Sequence, residues 1–453
     1  MKHITKYLLI GSAALLWACE PSVDSFTPSS GTADFSTYVA VGDSYTAGYT
    51  DGALSAYGQD NSFANIISTQ LKSVGGQSFS MPLIPETKSI GSAGNGSYKL
   101  VATGNPASPL APVPTEGNME LLTQAENWVN GIYSNVGVPG AKSFHLLTPA
   151  LGNPNLGLGN FNPFYTRFAS KPGESSVLMD AMANQPTFFT LWIGANDVLA
   201  YALAGGEAGE GLDKNDITPL AQFSGALNAL LSTLKSQGAE GALANIPDIN
   251  AIPYFSYIQY NAMKLDAATA GLLNQAYATY NQYAEAMQLE KMVFAEGNNA
   301  FVIADAAHPL KMRQIKEGEK VLLGASTNIQ GEAGWGSKLP IPESYTLDID
   351  ELAKIELATK NFNEALKAAS ETHEVAFVDM AAKMEELKAG LIIDGHRYTA
   401  TFITGGAFSL DGIHMCCRGS AIIANTFIDA INDKYNASVP RANINDYDGV
   451  RFP

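Results

Sequence analysis

Tyr38-Val39-Ala40-Val41-Gly42-Asp43-Ser44-Tyr45-Thr46-Ala47-Gly48 changes character halfway along. Tyr38 to Val41 is a short apolar run that reads as a buried parallel strand, and Gly42-Asp43 stops it. The small residues that follow suit the start of a helix. A serine at such a junction sits at the carboxyl edge of a sheet, where open α/β folds place their ligands. Its hydroxyl also lies near the free N–H groups and positive dipole end of the next helix, a setting that favours a developing oxyanion. Gly-Asp-Ser turns are common, however, so the meaning of Ser44 depends on what else the chain supplies.

Other strands are recognised in the same way. Phe188 to Ile193 is a buried apolar run ending in Gly194-Ala195-Asn196-Asp197, and Gly241 to Ile246 stops at Pro247-Asp248. Val375 to Val378 is a further strand. A short second strand is expected at Ile132-Tyr133, leading into Asn135-Val136-Gly137-Val138-Pro139-Gly140-Ala141. Helical apolar spacing marks 60–71, Leu220 to Leu234, Leu352 to Leu366 and Ser420 to about Ile431. Strands separated by helices and loops, not by tight hairpins, predict a parallel sheet with helices on both faces. Two long stretches interrupt this alternation, near 72–130 and 250–373. The first, from Gly75 to Gly117, is rich in glycine and proline and is expected to be an irregular surface insertion. In the second, a loop from Gly324 to Pro342 sets Trp335 between two glycines, which suits either a lid over an apolar acyl group or an ordinary surface loop.

Composition narrows the function classes. Of 453 residues, 46% are hydrophobic and 16% charged, which describes a folded chain with a large core. The net charge of −17 argues against a nucleic-acid partner, which needs a concentrated basic surface. Residues 1–19 read as an address: Lys2 and Lys6, then an apolar stretch from Tyr7 to Leu16 too short to span a bilayer, then Leu16-Trp17-Ala18-Cys19. The segment resembles a bacterial lipoprotein signal, though Trp17 is bulkier than usual there. The resemblance implies lipidation of Cys19, export and a lipid anchor in the cell envelope, at the outer membrane. Residues 20–34 are rich in Ser, Pro, Thr and Gly and read as a flexible tether to a single domain over 35–453. The adjacent Cys416 and Cys417 cannot staple distant parts of the fold and read as two buried thiols.

Serine-based ester hydrolysis needs a hydroxyl, a base, a group to orient the base, and donors for the oxyanion. Asp411-Gly412-Ile413-His414 supplies base and orienter from one turn, since a three-residue spacing lets Asp411 reach the imidazole. Gly42-Asp43-Ser44, a glycine after the second strand, Gly194-x-Asn196-Asp197 and Asp411-x-x-His414 stand in the order of the SGNH (GDSL-type) hydrolases, which the chain resembles. The resemblance implies a flavodoxin-like three-layer α/β/α sandwich that hydrolyses carboxylic esters. By it, Ser44 is the nucleophile, His414 the base and Asp411 the orienter. The oxyanion donors are the N–H of Ser44, the N–H of Gly140 and the side chain of Asn196. Gly137 and Gly94 compete with Gly140. Tyr45 stands where many members carry leucine, and Ser44 and Asn196 are unusually far apart.

Rival residues have plainer readings. Asp305-Ala306-Ala307-His308 repeats the Asp-x-x-His spacing but lacks the helix that follows His414. His145 suits a packed surface position. His373 and His396 have acids nearby without ligand spacing. No His/Cys/carboxylate cluster is spaced for zinc or calcium, and no glycine loop carries a phosphate-binding lysine, so neither metal nor cofactor is expected. The expected partner is an ester: an acylated glycan, a short-chain ester or a lipid. The alternative is a surface lipoprotein that binds glycan or lipid without turnover.

Overall fold

The computed structural model describes residues 26–103, 109–157, 159–207 and 215–453. The address segment with Cys19, residues 20–25 of the tether and most of the acidic loop at 205–216 lie outside the described residues. Among the described residues no helix is long and apolar enough to cross a membrane.

Five parallel strands form the central sheet: β1 (Tyr38–Gly42), β2 (Asn135–Gly137), β3 (Phe188–Trp192), β4 (Glu240–Ala244) and β5 (Ala376–Val378). Their order is β5-β4-β3-β1-β2, all neighbours parallel, with β1 and β3 in register from Tyr38–Phe188 to Gly42–Trp192. This is the flavodoxin-like order, whose direction reverses beside β1, so the crevice after β1 is the place for a ligand. Every residue of β1 and β3 is buried, which explains their unbroken apolar sequence: both faces of the sheet are covered.

The second strand lies slightly beyond its expected place. It begins at Asn135, and the Tyr133 hydroxyl before it donates to Val129 O at 2.6 Å. Asn135 is tolerated in the buried strand because its amide is fully used, donating to Thr46 O at 2.8 Å and accepting from Gly137 N at 2.9 Å.

The helices that bear on the sheet and the crevice include α1 (Ser44–Ala47), α2 (Phe63–Leu71), α3 (Val177–Ala183), α4 (Asn196–Leu203), α5 (Leu220–Leu234), α6 (Ile349–Thr372) and α7 (Cys417–Tyr435). α2 and α7 pack together on one face, where Phe63 stacks on Phe427 at 5.0 Å. α3, α5 and α6 cover the other face, with Phe223 stacked on Phe362 at 4.2 Å. Burying each such phenyl ring stabilises by about 2 to 3 kcal/mol. α6 starts where Asp348 and Glu351 form a reciprocal capping box, and α7 ends at Asn436 in the left-handed region.

The stretch from Gly75 to Gly117 is more ordered than its composition suggests. Strands Asn95–Ala102 and Leu110–Glu116 form an antiparallel hairpin despite Pro112 and Pro114. Thr103 N donates to Pro109 O at 3.0 Å, which places the hydrogen-bonded pairs at odd-numbered residues. Pro112 and Pro114 therefore fall in the non-hydrogen-bonded pairs, opposite Leu100 and Tyr98, where a missing N–H costs the ladder nothing.

Residues within 250–373 build a core of their own around Tyr280, Phe294, Phe301 and Ile341, with three small antiparallel strand pairs. Trp335 lies against Tyr345 in this core at 5.1 Å and does not line the main cavity, whereas Gly324, Ser326, Thr327 and Gln330 of the same loop do, so the tryptophan is not the lid residue. α6, by contrast, packs into the main core through Ile355, Phe362 and Leu366.

The tether reading fails from Ser29 onward. Ser29 and Ser438 exchange backbone hydrogen bonds, and Thr32 N donates to Tyr435 O at 2.9 Å. Ala33 and Phe35 are buried. This docking lies at the amino ends of the strands, since Phe35 packs on Phe188 and the Tyr435 hydroxyl donates to Gly241 O.

Candidate active site

Ser44 opens α1 directly after β1, held by the Asp43 carboxylate, which accepts from Tyr45 N at 3.0 Å. α1 is a single turn, closed by Gly48 at φ +82°, so its dipole is short and the individual N–H groups matter more than the helix. From the other end of the chain, the loop before α7 brings His414 Nε2 to 2.8 Å from Ser44 Oγ. His414 Nδ1 lies 2.8 Å from Asp411 Oδ2. The remaining capacity of Asp411 is filled by Gly52 N, Ile413 N, His414 N and Ser409 Oγ, at 2.8 to 3.1 Å. Burial pushes the Asp411 carboxyl up. The adjacent His414 charge and these donors outweigh it and hold the carboxyl down at about 2. Two tyrosines flank the imidazole: Tyr49 at 4.7 Å and Tyr45 at 5.2 Å between ring centres.

Asn196, the first residue of α4, and Gly140, in the turn after β2, line the same cavity as Ser44 and His414. Asn196 Nδ2 donates to Ala141 O at 3.0 Å, which ties the two segments together. Gly140 has φ +77°, and the space beside its α-carbon is open. Of the competing glycines, Gly137 is inside β2, where a Cβ would meet Ala47 N at 2.3 Å, and Gly94 lies against Met119. Neither lines the cavity.

The structure thus brings Ser44, Asp411, His414, Gly140 and Asn196 together, and it leaves the rivals apart. Asp305 Oδ1 caps the N–H of His308, while Oδ2 pairs with Arg313 Nε at 2.6 Å. His308 itself accepts from Leu310 N. His145 Nδ1 accepts from Lys142 N. Cys416 and Cys417 are buried free thiols, and burial pushes Cys416 up to about 11.

Sequence reasoning passed over three participants. Asp43, almost wholly buried beside the nucleophile, has its carboxyl pushed up to about 7 by burial. Asp197 accepts from Ser143 N and Ser143 Oγ at 2.8 and 2.7 Å, which fixes the Gly140 turn against α4. The third is the Asp51-Gly52 turn, whose dipeptide is itself a hairpin signal.

A cavity of about 480 Å³ opens over Ser44. Both insertions wall it. Leu110 and Tyr98 come from the hairpin, and Tyr254 and Leu323 from the second insertion, alongside Leu203 of α4 and Phe402. The wall is mainly apolar.

Among solved structures, the chain is similar to an acetylxylan esterase from Geobacillus stearothermophilus, solved as a catalytic mutant. That match has 10% identity, covers 88% of this chain and 95% of that one, and has a TM-score of 0.36. A protein described as a GDSL-like lipase from Parabacteroides merdae matches at 11% identity over 89% and 99% of the two chains, with a TM-score of 0.35. An α/β hydrolase enzyme from the metagenome of Lake Arreo, Spain, matches at 10% identity over 88% and 96%, with a TM-score of 0.36. Likenesses this weak carry no weight for chemistry. No curated protein matches the sequence. The model of the GDSL-like lipase/acylhydrolase family does match, from residue 38 to residue 427, spanning β1, the Ser44 turn, Asn196 and the Asp411–His414 loop. The chain therefore belongs to the GDSL-like lipase/acylhydrolase family of ester hydrolases.

Proposed function

We propose that the protein cleaves carboxylic esters through an acyl-enzyme on Ser44. The observation that carries this reading is the relay from Ser44 Oγ through the His414 imidazole to Asp411, 2.8 Å at each step. Ser44 Oγ attacks the ester carbonyl carbon as His414 Nε2 takes its proton, and Asp411 holds the imidazole in the required tautomer and stabilises the imidazolium. The carbonyl oxygen, now an oxyanion, is received by the N–H groups of Ser44 and Gly140 and by Asn196 Nδ2. His414 returns the proton to the departing alcohol oxygen, leaving an ester on Ser44. Water then attacks that ester with His414 again as base, releasing the acid and restoring Ser44. The size and apolar wall of the cavity support an acyl group larger than acetyl.

The deciding experiment labels the purified domain with a fluorophosphonate, using Ser44→Ala and heat-denatured protein as controls. Label on native protein alone is expected. No label on well-folded protein would sink the enzyme reading and favour a binding protein.

The same proposal includes export and lipidation at Cys19, supported by Lys2, Lys6 and the short apolar run before it. Metabolic labelling with a fatty acid should mark the full chain and not Cys19→Ala. Equal labelling of both would remove the anchor.

A further inference from the structure

Beside Asp411, residues Thr50–Ala53 make a two-residue turn whose ends exchange hydrogen bonds, Thr50 N to Ala53 O and Ala53 N to Thr50 O, each 3.1 Å. Its central residues, Asp51 and Gly52, both have positive φ, +52° and +73°. That is the pairing Asp-Gly accepts at least cost, and the geometry turns both N–H groups outward. Neither is idle. Asp51 N donates to Ser409 Oγ at 3.0 Å, and Gly52 N donates to Asp411 Oδ2 at 2.9 Å, the same oxygen that meets His414 Nδ1. The Asp51 carboxylate reaches across and accepts from Leu410 N at 2.9 Å. Ser409 Oγ closes the ring by donating to Asp411 Oδ1 at 3.1 Å.

The nucleophile's loop is thereby bolted to the base's loop on both sides of Asp411, at Leu410 and at the carboxylate itself. The turn is held from outside as well. Gly52 O receives Tyr49 OH at 2.8 Å and Asn95 Nδ2 at 3.0 Å, and Tyr98 N donates to Asp51 O at 2.7 Å. Asn95 and Tyr98 belong to the hairpin of the first insertion.

From this we infer that Asp51 is a positioning residue for the reaction. Its carboxylate fixes the 409–411 backbone so that Asp411 meets His414 Nδ1 in the reactive alignment, and the hairpin insertion keeps the Asp51 turn in place. The inference rests on the Ser44–His414–Asp411 reading given above. A second acceptor is needed there because Asp411 cannot orient itself: all its donors but Gly52 N and the imidazole come from its own short loop. The charged groups facing Asp51 are Asp411 on one side and Arg451 of the C-terminal tail on the other, with the thiols of Cys416 and Cys417 nearby. Burial pushes the Asp51 carboxyl up to about 6, yet an acceptor oxygen persists in either protonation state.

The test compares Asp51→Ala, Asp51→Asn and Ser44→Ala in the full chain, with a p-nitrophenyl ester over a pH series. Asp51→Ala removes the acceptor and is expected to lower kcat about tenfold with KM within twofold, because alignment is lost and binding is not. A loosened Asp411 stabilises the imidazolium less, so the acid limb of kcat/KM should move to lower pH. Asp51→Asn keeps an oxygen toward Leu410 N and should recover most of kcat and return the limb towards its wild-type position. Circular dichroism establishes that each variant is folded. If Ser44→Ala is inactive while Asp51→Ala matches wild type in kcat and pH limb, the inference is overturned and the enzyme reading stands. A limb that stays put as kcat falls overturns it too, as does Asp51→Asn faring as badly as Asp51→Ala. If Ser44→Ala keeps wild-type turnover, the underlying reading fails first.

Discussion

Tyr45 donates its phenol to the carbonyl of Ile413 at 2.8 Å, so the residue after the nucleophile holds the residue before the base. Its ring lies between Trp192, at 4.7 Å, and the His414 imidazole, at 5.2 Å. Tyr45→Phe keeps the ring and drops the bond. The expected result is a loss of about 1 kcal/mol in stability and a fall of several-fold in kcat, read by thermal melting and steady-state kinetics. An unchanged kcat would show that the ring alone seats the imidazole.

The two Asp-x-x-His pairs make opposite predictions. His414→Ala should cost at least about a thousandfold in kcat, and Ser44→Ala a similar amount. His308→Ala should stay within twofold, because that imidazole serves a turn in the second insertion. Steady-state kinetics on the three variants settles the matter, and a reversed order would move the base.

Asp411 contributes to stability with a definite sign. Its folded value of about 2 is below the ordinary 3.8, so its contribution is fully present above pH 4 and is lost as the pH falls toward 2. Asp411→Asn should flatten that acid limb of the melting curve and lower kcat about a thousandfold or more. A limb of equal steepness in the variant would assign acid unfolding to other carboxylates.

Asp43 behaves in reverse. With its carboxyl raised to about 7, chiefly by burial, it favours the folded state below pH 4, and that contribution disappears as pH rises through 7. Asp43→Asn retains an oxygen for Tyr45 N and removes the buried charge. Relative to wild type the variant should gain stability between pH 5 and pH 8, on the order of 1 kcal/mol or more. A melting difference independent of pH would contradict this.

The fold was legible because β1 and β3 are buried on both faces and so advertise themselves as unbroken apolar runs. β2 was harder: it is three residues long and begins with an asparagine whose partners come from distant segments. The prolines of the first insertion concealed a hairpin, because composition does not reveal which parity of a strand carries the hydrogen bonds. Ser44, Asn196, Asp411 and His414 were readable from ordered motifs. Gly140 was preferred to Gly137 on resemblance alone; the physical difference, that Gly140 lines the cavity while Gly137 packs against Ala47, is not visible in the sequence. The Asp51-Gly52 signal was present in the sequence, but its role comes from a loop some 360 residues away.

The cavity gives a prediction about chain length. Leu203 of α4 lines it together with Leu323 and Phe402. Leu203→Trp should shorten the preferred acyl chain by about two carbons in a p-nitrophenyl ester series, with acetate turnover least affected. A preference unchanged by the larger side chain would place the acyl group elsewhere.

The docking of Ser29 and Thr32 at the C-terminal end of α7 and the segment after it has a mechanical consequence. Strands of five residues put roughly 16 Å between the two edges of the sheet, and the N-terminal segment joins at one edge while the cavity opens at the other. A molecule leashed by the residues before Phe26 would hang with its mouth pointing away from the leash. A pull on that leash would be borne by the Ser29–Ser438 clasp before it reached the relay at Ser44.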